Sequence, residues 1–486
     1  MAIKLKLLID KEKNRVVLAE SDEYFVDTLF SFLTIPIGSV VRLSSGKSNI
    51  GCMDALQESV KNLDSRYLQT EAVREMLLCP RSACEARTKD LALNVDTELT
   101  RYYRCTSSCI ARCKPLFSTV KNVRCRCGQV MANEVVLEKS KPAADGINEG
   151  VFVKETMRFI IGDDLRVSPI STETSLSQLV KHGIRDWTTL EEKSVDVGAN
   201  EALHILRRLF VSTTPLTDVF LRKPEALEDA FDSLKLSPED IVIDKKDTRK
   251  EMSLKLLINK SNNKVVYAEA TIDFLDLLIS FLTFPLGSVV KLLGPGSSIG
   301  CLDNLHKSVE DLSGGDDCII SEDCRAMLLD PKLSLHSGCD SQLLPVVEAG
   351  PKTIDSSKFS SCFVCGADNN DHYYFGCSGA TNREFHFINP KVSGAATECG
   401  GGFVKGPNMK FMVTDGLDVK PLSFISGIPI LYRFNVPISD VQKRVVSVGV
   451  EEALSLLKAS LFSRTVLSDV FCQKNANQSE IKLERK

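Results

Sequence analysis

The chain has 486 residues, 43% of them hydrophobic and 26% charged, with a formal net charge of −4. That is the composition of a soluble globular protein of about two to four domains, long enough to bury a sizeable core. A pI near 6.0 supplies no overall basic field for gripping phosphate backbones, which argues against non-specific nucleic-acid binding.

The N-terminus, MAIKLKLLID, reaches Asp10 before any long apolar run develops, and no later stretch approaches about 18 uncharged apolar residues. Neither a secretory signal nor a membrane span is expected. Leu5 to Ala19 reads as a β-hairpin around the polar turn Asp10 to Asn14. From Asp22 the period changes: Phe25, Leu29, Phe32 and Leu33 share a helical face, Ser21 or Asp22 can cap the start, and Pro36 with Gly38 stops it. Ser39 to Leu43 is expected to be a third strand, and Cys52 to Leu63 a second helix with Ala55, Leu56, Val60 and Leu63 as its apolar face. A short helical turn follows at Met76 to Pro80, then a loop-rich cysteine section. Arg158 to Pro169 reads as another hairpin, and an amphipathic helix from Val197 closes the half at Asp218-Val219-Phe220.

The same order then returns. Positions 4 to 43 match positions 253 to 292 without gaps at 24 of 40 residues, so the chain reads as an internal duplication. Residues 1–221 form the first repeat, 222–252 a charged linker, 253–472 the second repeat, and 473–486 a tail expected to be disordered. In the second hairpin, Lys410 to Pro421, the dipeptide Asp415-Gly416 is a favoured turn because glycine accepts a positive φ without steric cost.

The repeated features are Thr34-Ile35-Pro36-Ile37-Gly38 against Thr283-Phe284-Pro285-Leu286-Gly287, Ile50-Gly51-Cys52 against Ile299-Gly300-Cys301, Phe152-Val153-Lys154 against Phe403-Val404-Lys405, and the two Asp-Val-Phe closures. With these the chain resembles a plant family catalogued as domain of unknown function 674, over almost its whole length. The resemblance implies a duplicated architecture and paired Cys-x-x-Cys knuckles in the central section. It carries no activity across.

There are 17 cysteines. Without an export signal they point to a reducing compartment, cytoplasmic or nuclear, where clustered thiols serve as metal ligands or core residues more often than as disulfides. The first insert, about 101–131, offers Cys105, Cys109, Cys113, Cys125 and Cys127; the second, about 360–402, offers Cys362, Cys365, Cys377 and Cys399. A structural zinc site needs four thiolate or imidazole ligands at tetrahedral corners. The second copy has one clean knuckle, Cys362 to Cys365, and His372 could substitute as a ligand. In the first, Cys125-Arg126-Cys127 would aim its sulfurs to opposite faces if extended, so only a turn there lets both coordinate. A Tyr-Tyr pair precedes both Cys105 and Cys377, and each lies 22 residues before a Cys-Gly, at Cys127 and Cys399. The candidate metal ligands are therefore Cys105, Cys109, Cys125 and Cys127, and Cys362, Cys365, Cys377 and Cys399. All-cysteine ligation would make the zinc structural, because no position is left for water.

Other constellations are weaker. Ser45-Gly46-Lys47-Ser48 lacks the first glycine of a phosphate-binding loop, with Val41 in its place, so nucleotide hydrolysis is not expected. The histidines recur at no matched positions. Asp163 and Asp164 occupy a hairpin turn, where aspartate bonds its local backbone. Asp27 and Asp276, with Ser31 and Ser280, match on the helix face opposite the apolar stripe, which reads by default as solvated. Cys52 and Cys301 stand at helix starts, a position that lowers thiol pKa.

The expected fold is α+β: two homologous modules, each a hairpin, helix, strand and helix with a cysteine-rich zinc-ribbon-like insert, a further hairpin and a closing helix. The first functional reading is a non-catalytic interaction or scaffold protein with an unknown protein partner. The alternatives are an enzyme with a site between the repeats, and a zinc-ribbon nucleic-acid reader using Arg101, Arg104, Arg112, Lys114, Lys121, Arg124 and Arg126 around Tyr102 and Tyr103.

Overall fold

The computed structural model describes residues 3–93, 95, 100–105, 116–135, 150–155, 157–222, 251–294, 299–312, 318–350, 353–355, 384–392, 401–406, 408–433 and 436–472. The expected linker and tail lie almost wholly outside these residues. The chain is mixed α and β, dominated by two five-stranded antiparallel sheets. In the first, the strands run in the order Leu190–Val197, Ile3–Asp10, Arg15–Ser21, Phe159–Gly162, Val167–Pro169. The second has the same order: Val441–Val448, Met252–Asn259, Lys264–Ala270, Phe411–Thr414, Val419–Pro421. Both first hairpins carry a register shift at the same place, between Leu8 and Ile9 and between Leu257 and Ile258.

The helices Glu23–Ser31 and Ile272–Ser280 follow the hairpins as the periodicity requires, each ending in a 3-10 turn. Asp22 occupies the N-cap position without making a side-chain cap bond. Ser39 to Leu43 is not a strand. It lies in a helix, Ile37–Leu43, matched by Leu286–Leu293. Ile37 through Val41 are all buried, so apolar residues surround the helix axis and give no periodic stripe, and the β-branched Val40-Val41 pair imitates a strand. Pro36 and Pro285 begin these helices, since their φ near −65° suits an N-terminal flank. Two further element pairs were not anticipated: the edge strands Leu190–Val197 and Val441–Val448, and the helices Thr172–Lys181 and Phe424–Arg433.

The hairpin turns also depart from expectation. The positive φ falls on Leu165 and Leu417, at +62° each, and not on Gly416. Both leucines are fully buried, and their burial outweighs the strain of a left-handed residue, about 1–2 kcal/mol.

The halves exchange backbone hydrogen bonds at the repeated motifs. Ile37 N–H donates to Phe284 O (2.9 Å) and Leu286 N–H to Ile35 O (3.0 Å), pairing the two prolines back to back. Lys154 N–H donates to Cys318 O and Ile320 N–H to Phe152 O; Gln69 N–H donates to Phe403 O and Lys405 N–H to Tyr67 O. Cys52 N–H donates to Ser460 O and Cys301 N–H to Leu209 O. A single apolar core, including Phe30, Phe32, Phe281 and Phe284, runs through both halves.

Candidate metal centre and adjoining cavity

Three of the four candidate ligands in the first half converge. Cys105 follows the short strand Tyr102–Arg104, which pairs with Asn133–Val135. Cys125 and Cys127 lie in the turn between Val123–Arg124 and Val130–Met131. Gly128 N–H donates to Cys125 O and Cys125 N–H to Gln129 O, closing the turn that both sulfurs need, and Gly128 takes φ +82°. The sulfurs of Cys105, Cys125 and Cys127 all lie within 4.8 Å of one another. Tetrahedral thiolates at about 2.3 Å from zinc stand roughly 3.8 Å apart, so a small closure suffices. Cys105 and Cys125 are buried and Cys127 is exposed. They rest on a small core of Leu116, Val123, Met131 and Ile388, the last from the second half. Cys109, Cys113, Cys362, Cys365, Cys377, Cys399 and His372 lie outside the described residues.

Beside this cluster is a cavity of about 520 Å³ lined by both halves. Tyr103 and Val120 line it and also pack on the cysteine-bearing core. Tyr102, another wall, stacks obliquely on Phe387 at 5.7 Å. Among the described residues, four cationic side chains face it, Arg42, Arg81, Arg101 and Lys121, against two carboxylates, Glu75 and Glu85. Arg81 pairs with Glu85 (3.0 Å) and Arg101 with Glu134 (2.9 Å).

Several matched residues prove structural. Asp27 is buried, and its carboxylate accepts the backbone N–H groups of Val151, Phe152 and Val153 (2.7–3.0 Å); Asp276 accepts those of Phe403 and Val404. The solvated face expected from spacing is thus a clamp on the two Phe-Val-Lys segments. Burial pushes Asp27 up to about 6 and Asp276 up to about 7 against these bonds. Asp163 does not bond its own turn but accepts from Thr217 N–H and Oγ, and Asp415 from Ser468 likewise. Thr217 and Ser468 receive Val16 and Val265 N–H in turn, which ties the last helix of each half to its hairpin just before the Asp-Val-Phe closure. Asp164 does bond locally, to Arg166 N–H.

Cys52 and Cys301 are not activated thiols. Burial, the largest cause, pushes Cys52 up to about 12 and Cys301 higher still, and the Sγ–H groups donate to Ser463 O and Ser212 O of the opposite half. The helix starts dock on protein backbone. The loop at Ser45 to Ser48 follows a helix and not a strand. His204 is exposed, as a surface helix position should be.

Among the described residues no helix is long and apolar enough to cross a membrane. No curated protein and no solved structure matches the chain. A family model does, over residues 1–451, and the chain belongs to the family described as Protein of unknown function (DUF674).

Proposed function

We propose that the chain is a duplicated, non-catalytic interaction or scaffold protein of the cytosol or nucleus, with structural zinc in zinc-ribbon-like segments. The convergence of Cys105, Cys125 and Cys127 carries this reading. Cys109 would supply the fourth corner, and a closed thiolate set leaves the metal no site for water, so its role is to hold the loops in shape. Cys362, Cys365, Cys377 and Cys399 would hold a second ion in the same way. Exposed apolar side chains support a protein partner: Tyr432 (83% exposed) and Ile438 (90%) in the second half, Val180 (75%) and Trp187 (67%) in the first. The enzyme alternative draws on the cavity between the halves. The nucleic-acid alternative draws on exposed Arg124 and Arg126.

The test is elemental mass spectrometry on protein purified without chelator, for the parent chain and for Cys125→Ser and Cys399→Ser. The reading expects about two zinc ions per chain, falling by about one with each substitution. A metal-free parent chain would remove it.

A further inference from the structure

We propose that the cavity between the halves binds a small organic carboxylate with a flat apolar body, held at Arg42. The inference stands on the cavity and not on the metal. Its volume, about 520 Å³, falls within the usual range for small-molecule sites, and its walls combine tyrosine and phenylalanine rings with a few cations. Among the described lining residues the cations outnumber the carboxylates by four to two, in a chain whose formal charge is −4.

The matched position in the second half shows what Arg42 lacks. There Lys291 pairs with Asp330 at 2.6 Å. Arg42 stands where Lys291 does, and Cys79 stands where Asp330 does; both line the cavity. The first half therefore has a cation at this position and a cysteine where the second half has a carboxylate. Arg42 Nη2 donates to Val95 O (2.9 Å), while its Nε is buried with no hydrogen-bond partner among the described residues. Nor does any described carboxylate pair with Arg42 or Lys121, whereas Arg81 and Arg101 have Glu85 and Glu134. Arg42 is half-buried, and a half-buried guanidinium with a buried, unpartnered Nε is under-satisfied; a ligand carboxylate supplies the missing partner through charge-assisted bonds. Tyr102, Tyr103 and Phe387 then cover the ligand body.

The test is titration calorimetry of the full chain with 2-naphthoate and with its uncharged analogue 2-naphthamide. The proposal expects naphthoate to bind one site per chain, about tenfold or more tighter than the amide. Cys79→Asp, which restores the carboxylate seen beside Lys291, should weaken naphthoate by about tenfold or more and leave the amide unchanged. Arg42→Gln should do the same, and thermal melts establish that each variant is folded. If one of them unfolds, the other decides. Absence of naphthoate binding, equal binding of the amide, or binding indifferent to a folded variant overturns the proposal.

Discussion

Asp27 and Asp276 are the residues whose chemistry shapes the molecule most. Each buries a carboxylate so that a strand-like segment can end on it, and those segments are the ones that pair with the opposite half. Desolvation raises both pKa values above the ordinary aspartate value, with Glu23 and Asp273 adding to it, and the accepted N–H groups and Lys391 lowering it. Between pH 4 and about 7 the folded state therefore holds protons that the unfolded chain has released. Stability is fully present below about pH 4 for these groups and is lost as pH rises through 6 and 7, by on the order of 3–4 kcal/mol per group. Asp163, raised to about 6, works in the same direction. Urea midpoints measured from pH 4.5 to 7.5 should fall, and the Asp27→Asn, Asp276→Asn double variant should show a shallower slope. An unchanged slope would mean that the two carboxyls do not titrate in the folded state.

Among elements, the docking of the helices Met53–Asn62 and Cys301–Leu312 onto the opposite half depends on the glycine before each. Gly51 (φ +42°) meets Ser460 O, and Gly300 (φ +54°) meets Leu209 O, so closely that a Cβ has no room. Gly51→Ala should cost about 2–4 kcal/mol, read by chemical denaturation. Gly46→Ala, at φ +73° in open space, carries backbone strain alone and should cost about 1–2 kcal/mol. Equal losses would deny the close approach. The hairpins and the helix at Phe25, Leu29 and Phe32 were legible in sequence because one face of each is buried, and that imprints a period of 2 or 3.6. The helix Ile37–Leu43 was not, because burial on all sides erases the period. The strand Leu190–Val197 was not either: its LEEKSVDV pattern is an exposed edge with only Val197 fully buried, so little apolar alternation marks it. The turn at Cys125 to Gly128 was legible as a requirement of shared ligation. The cavity was not, since Ser334, Leu335 and Phe387 reach it from more than 200 residues away in sequence.

At the scale of the whole molecule, every motif by which the halves resemble each other serves one of two tasks. The Pro, Ile-Gly-Cys and Phe-Val-Lys motifs bind the halves together, and Thr217 and Ser468, each just before an Asp-Val-Phe closure, fasten the sheet of each half to its own last helix. Three of these four motifs thus place contacts that each half makes on the other. The cavity inherits this, having Arg42, Tyr102 and Tyr103 on one side and Leu335 and Phe387 on the other. Function on this account belongs to the joined pair. The most direct measurement expresses residues 1–222 and 251–472 separately and together, with analytical ultracentrifugation and thermal unfolding as readouts. The account predicts that neither half alone gives a cooperative, folded monomer, since each would expose the apolar face and the backbone groups that the other now covers. Co-expressed, they should form a one-to-one complex. Two halves that each unfold cooperatively as monomers and do not associate would contradict it.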